Sequence, residues 1–463
     1  MTASASRIII AGLGPGNPEL RTIGTQRALD AADQIILRTR VHPGLGDLVG
    51  DTRVTDCDDL YDSAGDFDVL YRAIADRVLS AARSGGTVVF AVPGHPRVGE
   101  KSVPLIEDGA RDHGIPVDVL DAVSFLDATV GALQIDPIAL GLQVADAEYL
   151  AAMIDADPFA SGQLGIDPTR PLLVAQLYNR ELASAVKIAL SRLYPDEYRV
   201  LLVRAAGIQV EHTTKETPLH ALDREVVDHL TSLWVPSMAS LEAVRSPESL
   251  IRTVARLRAP GGCPWDREQT PGSLRNAVLE EAYEVVDAID AGDNGGLAEE
   301  LGDLLLLVAM QAQIAEENGA FRVEDVFEGI NRKLIRRHPH VFGSISATTP
   351  DAVIATWEGV KESERSEKGD STAKLNPIDR LPRAMPATRK AVEILAPRTS
   401  LTPPENPDAG NHLLEAVRGL IDQGVDPEIA LEASLRRLIH QRNDVSSGSA
   451  AAGIGTERGR ESA

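Results

Sequence analysis

Short runs of β-branched residues alternate with helical stretches through the first half of the chain. Glycine and proline separate these runs, and the alternation predicts an α/β layered domain with much parallel sheet. The pattern stops near Pro236, and helical periodicity takes over from about Pro247, so we predict a domain boundary between these residues. The predicted strands cover residues 8–10, 34–37, 88–90, 117–120, 172–174 and 200–203.

Two acidic signatures lie in the helical second half, Glu-Glu-Ala-Tyr-Glu at 280–284 and Glu-Leu-Gly-Asp at 300–303. Residues three or four apart share one face of a helix, so each signature presents two carboxylates side by side. Two such helices packed antiparallel would bring four carboxylates together, which predicts a hard-cation site, the usual partner of phosphate substrates. The four residues are Glu281, Glu284, Glu300 and Asp303.

The residues that follow the second acidic signature indicate whether its carboxylates lie near the core or in solvent. Residues 304–310 are wholly apolar, which predicts a helix buried on nearly all sides. Glu300 and Asp303 would then lie near the core, where unpaired carboxylates are costly and a divalent cation compensates them. A solvated acidic face, or acids attracted to the helix start by its dipole, remain the alternatives.

The length, net charge and cysteine content of the chain exclude several classes of protein. A chain of 463 residues is too long for one typical domain. Its net charge of -23 argues against nucleic-acid binding, because no broad cationic surface is available. Two distant cysteines, Cys57 and Cys263, indicate a reduced cytoplasmic protein, and no stretch approaches the apolar length of a membrane span.

The end of the chain contains a faint repeat of the helical half. Ala-Gly-Asn-His-Leu-Leu at 409–414 echoes Leu-Gly-Asp-Leu-Leu at 301–305, with Asn411 where the first copy has Asp303. We therefore interpret residues 366–445 as a degenerate second copy without a metal site. Residues 446–463 are rich in Ser, Gly and Ala, which predicts a disordered tail.

Five ordered motifs of the second half resemble the MazG family of all-α nucleoside triphosphate pyrophosphohydrolases. They are Gly-Cys-Pro-Trp-Asp at 262–266, Gln-Thr at 269–270, the two acidic signatures, and Arg-Arg-His-Pro-His-Val-Phe-Gly at 336–343. The resemblance implies an all-α domain over 246–365. It also implies Mg²⁺-dependent attack of water on the α-phosphorus of a nucleoside triphosphate, which releases the monophosphate and pyrophosphate and clears the nucleotide pool of unwanted triphosphates.

The same resemblance implies roles for individual residues. Glu281, Glu284, Glu300 and Asp303 correspond to the metal ligands, and Glu280 orients or deprotonates water or else supports the ligands, so Glu280, Glu281 and Glu284 form the predicted catalytic set. Members of the family pair their helical domains, which predicts a homodimer. The residues expected to contact the nucleotide are Trp265, Lys333, Arg336, Arg337, Trp357 and Lys361. For the basic residues a solvated face, and for Trp265 a loop anchor, are the alternatives.

The loops that follow strands in the first half resemble those of tetrapyrrole methylases. Gly-Leu-Gly-Pro-Gly-Asn-Pro at 12–18, Ala-Val-Pro-Gly-His-Pro at 91–96, residues 121–128 and residues 176–180 carry the likeness. It implies a two-lobed domain over 1–235 that binds S-adenosylmethionine, fused to MazG as in YabN-type proteins. The residues implied to line the cofactor cleft are Gly14, Pro93, Gly94, His95, Ser124 and Phe125.

Two functions from different classes follow. The first is a Mg²⁺-dependent pyrophosphohydrolase of nucleoside triphosphates with an appended domain that binds S-adenosylmethionine. The alternative is an active S-adenosylmethionine-dependent methyltransferase whose helical half serves only as an oligomerisation module. The complete carboxylate set favours the first, because a packing module does not need it.

Overall fold

The computed structural model describes residues 6–63, 66–156, 164–367, 381–395, 408–435 and 437–438. Its contacts divide the chain into two compact units, Met1–Val323 and Glu324–Ala463. The predicted tail at 446–463 lies outside the described residues, as does part of the predicted second copy at 366–445. The predicted domain limits, 1–235, 246–365 and 366–445, remain predictions.

The first lobe is built on a five-stranded parallel sheet of order β3-β2-β4-β1-β5. Alternate residues of β4 enter different clusters, with Val88 and Phe90 in one and Val89 and Ala91 in the other. Both faces of the sheet are therefore covered, which is why its strands read as continuous apolar runs. The strands are β1 (Arg7–Gly12), β2 (Gln34–Leu37), β3 (Val54–Asp56), β4 (Thr87–Val92) and β5 (Val117–Val119). The helices are α1 (Ile23–Ala31), α2 (Asp58–Ser63), α3 (Phe67–Arg83), α4 (Ser102–Asp112) and α5 (Phe125–Leu133), with 3₁₀ turns at Pro18–Leu20 and Pro43–Gly50.

The second lobe contains a mixed sheet of order β6-β7-β10-β8-β9. β6 and β7 pair in parallel, whereas β10 runs antiparallel to both β7 and β8. The short link between β8 and β9 leaves no room for a crossover, so these strands also pair antiparallel. The strands are β6 (Gln143–Asp146), β7 (Leu172–Ala175), β8 (Arg199–Arg204), β9 (Thr213–Pro218) and β10 (Thr231–Val235). The helices are α6 (Ala147–Ala156) and α7 (Arg180–Leu190), with a 3₁₀ turn at Leu219–Arg224.

Four helices complete the first unit: α8 (Pro247–Arg258), α9 (Pro264–Glu268), α10 (Arg275–Ala291) and α11 (Asn294–Glu317). Gly292 ends α10 in the left-handed conformation, and Asp293 caps the start of α11. The two long helices therefore fold back on each other as a hairpin. Their small core includes Val254, Leu274 and Met310.

The expected near-complete burial of α11 is wrong. Leu307 and Met310 are buried, but Leu305 and Val308 remain about half exposed. A helix hairpin has only one inner face, so a helix that is apolar on all sides leaves its outer residues uncovered. Glu300 is half-buried and Asp303 is exposed, so neither lies in a closed core.

The second unit is helical throughout its described part. It contains α12 (Val323–Arg337), α13 (Pro339–Phe342), α14 (Pro350–Glu367), α15 (Ala387–Leu395) and α16 (Ala409–Asp422). At the start of α16, Asp408 and Asn411 form a reciprocal capping box. Asn411, at the position where the first copy has Asp303, thus accepts from the backbone N–H of the N-cap residue Asp408. Among the described residues, no helix has both the length and the apolar character needed to cross a lipid bilayer.

Candidate functional site

Three carboxylates meet where α10 packs against α11. One oxygen from each of Glu281, Glu284 and Glu300 lies within 4.8 Å of the other two. Glu281 and Glu284 are one turn apart on α10, and Glu300 comes from the second turn of α11. The hairpin therefore brings together side chains that are at least 16 positions apart in sequence on its two arms.

The carboxylates in this cluster carry like charges and repel one another. Partial burial, and next the neighbouring Glu284 charge, raise the pKa of Glu281. Burial and Glu284 also raise the pKa of Glu300. Asp303 contributes to both shifts, so its charge is felt in the cluster although its oxygens lie outside the three-oxygen group. A divalent cation would remove this repulsion, and oxygen donors are those that Mg²⁺ prefers.

Glu280 lies outside the group of three. It precedes Glu281 on α10 and is exposed to solvent. Trp265 is also largely exposed, at 65%. Trp265 lies in the short helix α9, which is held by Arg258. The Arg258 guanidinium donates to the backbone carbonyls of Asp266 and Gln269 and pairs with Glu317 at 2.7 Å. No local sequence signal indicates Arg258, because Glu317 lies 59 positions away on another helix.

The predicted basic residues belong to the second unit. Lys333 and Arg336 are exposed on α12, and Arg337 is half-buried. Glu364 of α14 pairs with both arginines, at 2.6 Å each. The ring of Trp357 has two cations near it, the Arg337 guanidinium at 5.3 Å and the Lys361 ammonium at 4.7 Å from its centre.

A cleft of about 600 Å³ opens between the two lobes of the N-terminal half. Pro93, Gly94 and Phe125 of the predicted set line it. The other three support the surrounding loops. Gly14 forms a backbone bridge with Gly94, the His95 ring accepts from the Arg97 amide, and Ser124 caps α5.

Gly12, the last residue of β1, has no room for a side chain. A side chain at Gly12 would lie 2.2 Å from the carbonyl oxygen of Gly94. His42 supports the same loop, since its Nε2 donates to the Gly14 carbonyl and its Nδ1 accepts from the Gly44 amide. Burial lowers the pKa of His42 to about 4, which keeps the imidazole neutral in this arrangement.

Charged side chains that the sequence did not indicate also line the cleft. Arg38 is 7% exposed and pairs with Glu100 at 3.2 Å. Glu148 accepts from the Tyr178 hydroxyl at 2.8 Å and pairs with Lys101 at 2.9 Å. These contacts join residues from different lobes and elements, so no local sequence signal marks them.

Two cleft residues adopt backbone conformations that side chains seldom take. Gln176 and Ala205 have φ values of 61° and 53°. Both line the cleft at the ends of β7 and β8. Such conformations cost about 1–3 kcal/mol and tend to persist at ligand sites, which fits a binding role for this cleft.

Comparison with known proteins matches both halves of the chain. Residues 7–223 match the tetrapyrrole (corrin/porphyrin) methylases, and residues 269–342 match the MazG nucleotide pyrophosphohydrolase domain. The solved structure of uroporphyrin-III-C-methyltransferase from Thermus thermophilus covers 50% of this chain and 94% of its own at 21% identity, with a TM-score of 0.37.

Two curated relatives show how the chain is related to known proteins. MazG of Thermotoga maritima, named a nucleoside triphosphate pyrophosphohydrolase/pyrophosphatase, is 46% identical over 28% of this chain, and the match spans 50% of that protein. YabN of Bacillus subtilis is 38% identical over 84% of this chain and 76% of its own length. The chain therefore belongs to the YabN family and joins a tetrapyrrole methylase domain to a MazG domain.

Proposed function

We propose that the chain hydrolyses nucleoside triphosphates to nucleoside monophosphates and pyrophosphate with the help of Mg²⁺. The observation that carries this proposal is the convergence of Glu281, Glu284 and Glu300 within 4.8 Å. The match to the MazG domain and the printed activity of its Thermotoga maritima relative support it. Clearance of unwanted nucleotides, in the cytoplasm, belongs to the same proposal.

The carboxylates fit a divalent ion in number, chemistry and charge. Bound Mg²⁺ would neutralise phosphate oxygens and activate water for in-line attack. Glu281, Glu284 and Glu300 would hold the ion, and Asp303, one turn beyond Glu300, completes the proposed ligand set. Glu280 is exposed beside them and is the proposed residue that orients the attacking water.

We propose that basic and aromatic residues bind the outer phosphates and the nucleoside of the substrate. Arg336 and Arg337 carry planar guanidinium groups that suit phosphate oxygens, and Lys333 adds a mobile charge nearby on α12. Trp357 and Lys361 are the proposed contacts to the nucleoside. Trp265, exposed on the short helix α9 that Arg258 holds, is a further candidate for stacking on the base.

Substitution of Glu284 by Gln tests the hydrolase directly. The amide keeps the size of the side chain but removes one negative donor, so turnover should fall at least about a hundredfold. Asp290→Asn, at an exposed position on the same helix, is the matched control. The assay contains purified full-length chain, Mg²⁺ and a panel of triphosphates, and products are separated by chromatography.

Unchanged turnover in Glu284→Gln would refute the proposed site. Activity that survives complete removal of divalent ions by EDTA would count equally against it. Release of the nucleoside diphosphate and phosphate, in place of the monophosphate and pyrophosphate, would retain a hydrolase but contradict attack at the α-phosphorus.

The cleft between the lobes supports a second proposed function, the binding of S-adenosylmethionine. Its volume, its strained lining residues and the methylase match favour an organic ligand of this size. We expect calorimetry to detect binding and hydrolysis rates to change when the ligand is added. Absence of both binding and any rate change would refute this role, and transfer of a labelled methyl group would favour the methyltransferase alternative.

A further inference from the structure

Two consecutive arginines of α12 share a single buried carboxylate. Glu364, on α14, is 7% exposed. Its Oε1 accepts from Nη2 of Arg336 at 2.6 Å, and its Oε2 accepts from Nη2 and Nε of Arg337 at 2.6 and 3.2 Å. Nε of Arg337 also approaches Oε1, at 3.4 Å, so one carboxylate bridges the two guanidinium groups and fixes the two side chains relative to each other.

Trp357 restrains Arg337 from a second direction. The guanidinium carbon lies 5.3 Å from the centre of the indole, and the Arg337 side chain is only 17% exposed. Lys361 contacts the same ring. An ion pair and an aromatic contact together leave Arg337 little rotamer freedom, so a ligand that binds it loses little conformational entropy.

Three cationic side chains gather around Glu364 and Trp357. Two guanidinium groups pair with the carboxylate of Glu364, and the Lys361 ammonium lies over the ring of Trp357. Hydrogen bonds from Arg337, and then from Arg336, lower the pKa of Glu364 to about 2, so the carboxylate keeps its charge near neutral pH. In a chain with a net charge of -23, an ordered group of guanidinium and ammonium side chains has the donor chemistry that suits phosphate oxygens.

We propose that Glu364 is a positioning residue, which holds Arg336 and Arg337 in the orientation that binds the outer phosphates of the triphosphate. This inference rests on the proposed hydrolase function. Glu364 acts through the arginines and does not touch the substrate. Its loss should therefore weaken triphosphate binding more than it slows the chemical step.

The test compares Glu364→Gln with Glu358→Gln, an exposed glutamate on the same helix. Calorimetry measures binding of inorganic tripolyphosphate with Mg²⁺ to the full-length chain, and kinetics separate KM from kcat. Loss of a hydrogen bond to a charged group predicts about tenfold weaker binding and a similar rise in KM for Glu364→Gln. We expect kcat to change less than about threefold, and Glu358→Gln to behave as the wild type.

A second variant set separates positioning from simple bracing of the two helices. In an Arg336→Gln/Arg337→Gln background, Glu364→Gln should cause no further loss of binding. Equal loss in both backgrounds would overturn the proposal, as would unchanged tripolyphosphate affinity in a folded Glu364→Gln protein. Should that variant unfold, Glu364→Asp, which keeps the charge, takes its place in the same cycle.

The two proposals fail in different ways. A wild-type chain whose tripolyphosphate affinity depends on Glu364, but which releases no pyrophosphate from nucleotides, would refute the hydrolase and leave the positioning role intact. A chain that hydrolyses nucleotides with the same KM whether or not Glu364 is present would refute the positioning role alone.

Discussion

Several buried polar side chains around the interlobe cleft are held by more than one neighbour. The Arg38 guanidinium pairs with Glu100 and lies 4.8 Å and 5.3 Å from the ring centres of Tyr61 and Tyr71. Burying such a pair is not in itself strongly stabilising, but removing one partner leaves an uncompensated charge at high cost. The cleft therefore depends on complete groups of residues and tolerates loss of a single member poorly.

The buried His42 should make the stability of the folded protein depend on pH over a defined range. Because burial lowers its pKa to about 4, while an unfolded chain has a value near 6.5, the unfolded state binds more protons between these limits. Stability should therefore be lost as the pH falls from about 6.5 to about 4, by about 3 kcal/mol from this residue. Histidine ring NMR, with His42→Gln for assignment, checks the pKa.

A His42 resonance that titrates near 6.5 would contradict this expectation. Denaturant unfolding of wild type and His42→Gln across the same pH range should differ in slope, since only the wild type carries the buried imidazole.

At the scale of elements, the sequence predicts strands well when they are buried on both faces. All six predicted strands are present, as β1, β2, β4, β5, β7 and β8. It misses four strands: β3, which has only three residues, β6, β9, whose sequence Thr-Thr-Lys-Glu-Thr-Pro is polar, and β10. The first three are edge strands, which gain their order from a neighbour, so their own residues carry little signal. The fourth, β10, is a central strand that begins with the polar pair Thr-Ser, at the point where the alternating pattern ends. The antiparallel pairing of the second sheet is likewise set by tertiary contacts.

Gly302 is a weak point in the helix that carries two of the proposed metal ligands. It lies in the interior of α11, where a Cβ would meet nothing within 4 Å. Gly302→Ala should therefore fit, and it should raise the free energy of unfolding of this helical part by about 0.5–1 kcal/mol. Denaturant unfolding followed by circular dichroism provides the measurement.

Gly296→Ala is the contrasting control on the same helix. Its Cβ would lie 2.9 Å from Oδ2 of Asp293, the residue that caps α11. We expect this change to destabilise the protein, since the cap must move. A destabilised Gly302→Ala protein would mean that another surface packs against α11 at this position.

At the scale of the whole molecule, the candidate site is only partly predictable from sequence. The α10–α11 carboxylates follow from helical spacing and one tight turn, so Glu281, Glu284 and Glu300 could be paired in advance. Glu364 could not, because its arginine partners lie 27 and 28 positions away on another helix. Its sequence context is an ordinary charged helix face, and only the packing of α12 against α14 distinguishes it.

The exposed apolar face of the α10–α11 hairpin bears on assembly. Tyr283 and Val286 of α10, with Leu305 and Val308 of α11, are each roughly half exposed. Several large apolar side chains exposed on one helix hairpin are typical of an interaction site, and pairing of helical domains would cover them. We therefore expect a homodimer in solution, and Leu305→Glu should shift it to a monomer because a charge would be buried in the interface.

Sedimentation velocity at micromolar concentration measures this shift, with circular dichroism to show that the fold is retained. Val226→Glu is the matched control, since Val226 is 92% exposed in the N-terminal half and lies outside the hairpin. A monomeric wild type, or a Leu305→Glu protein that still sediments as a dimer, would contradict pairing through this face. Glu284 and Glu300 lie on the same two helices as this face. If the Leu305→Glu protein loses hydrolysis as well as dimerisation, pairing of the helical domains also stabilises the carboxylate site.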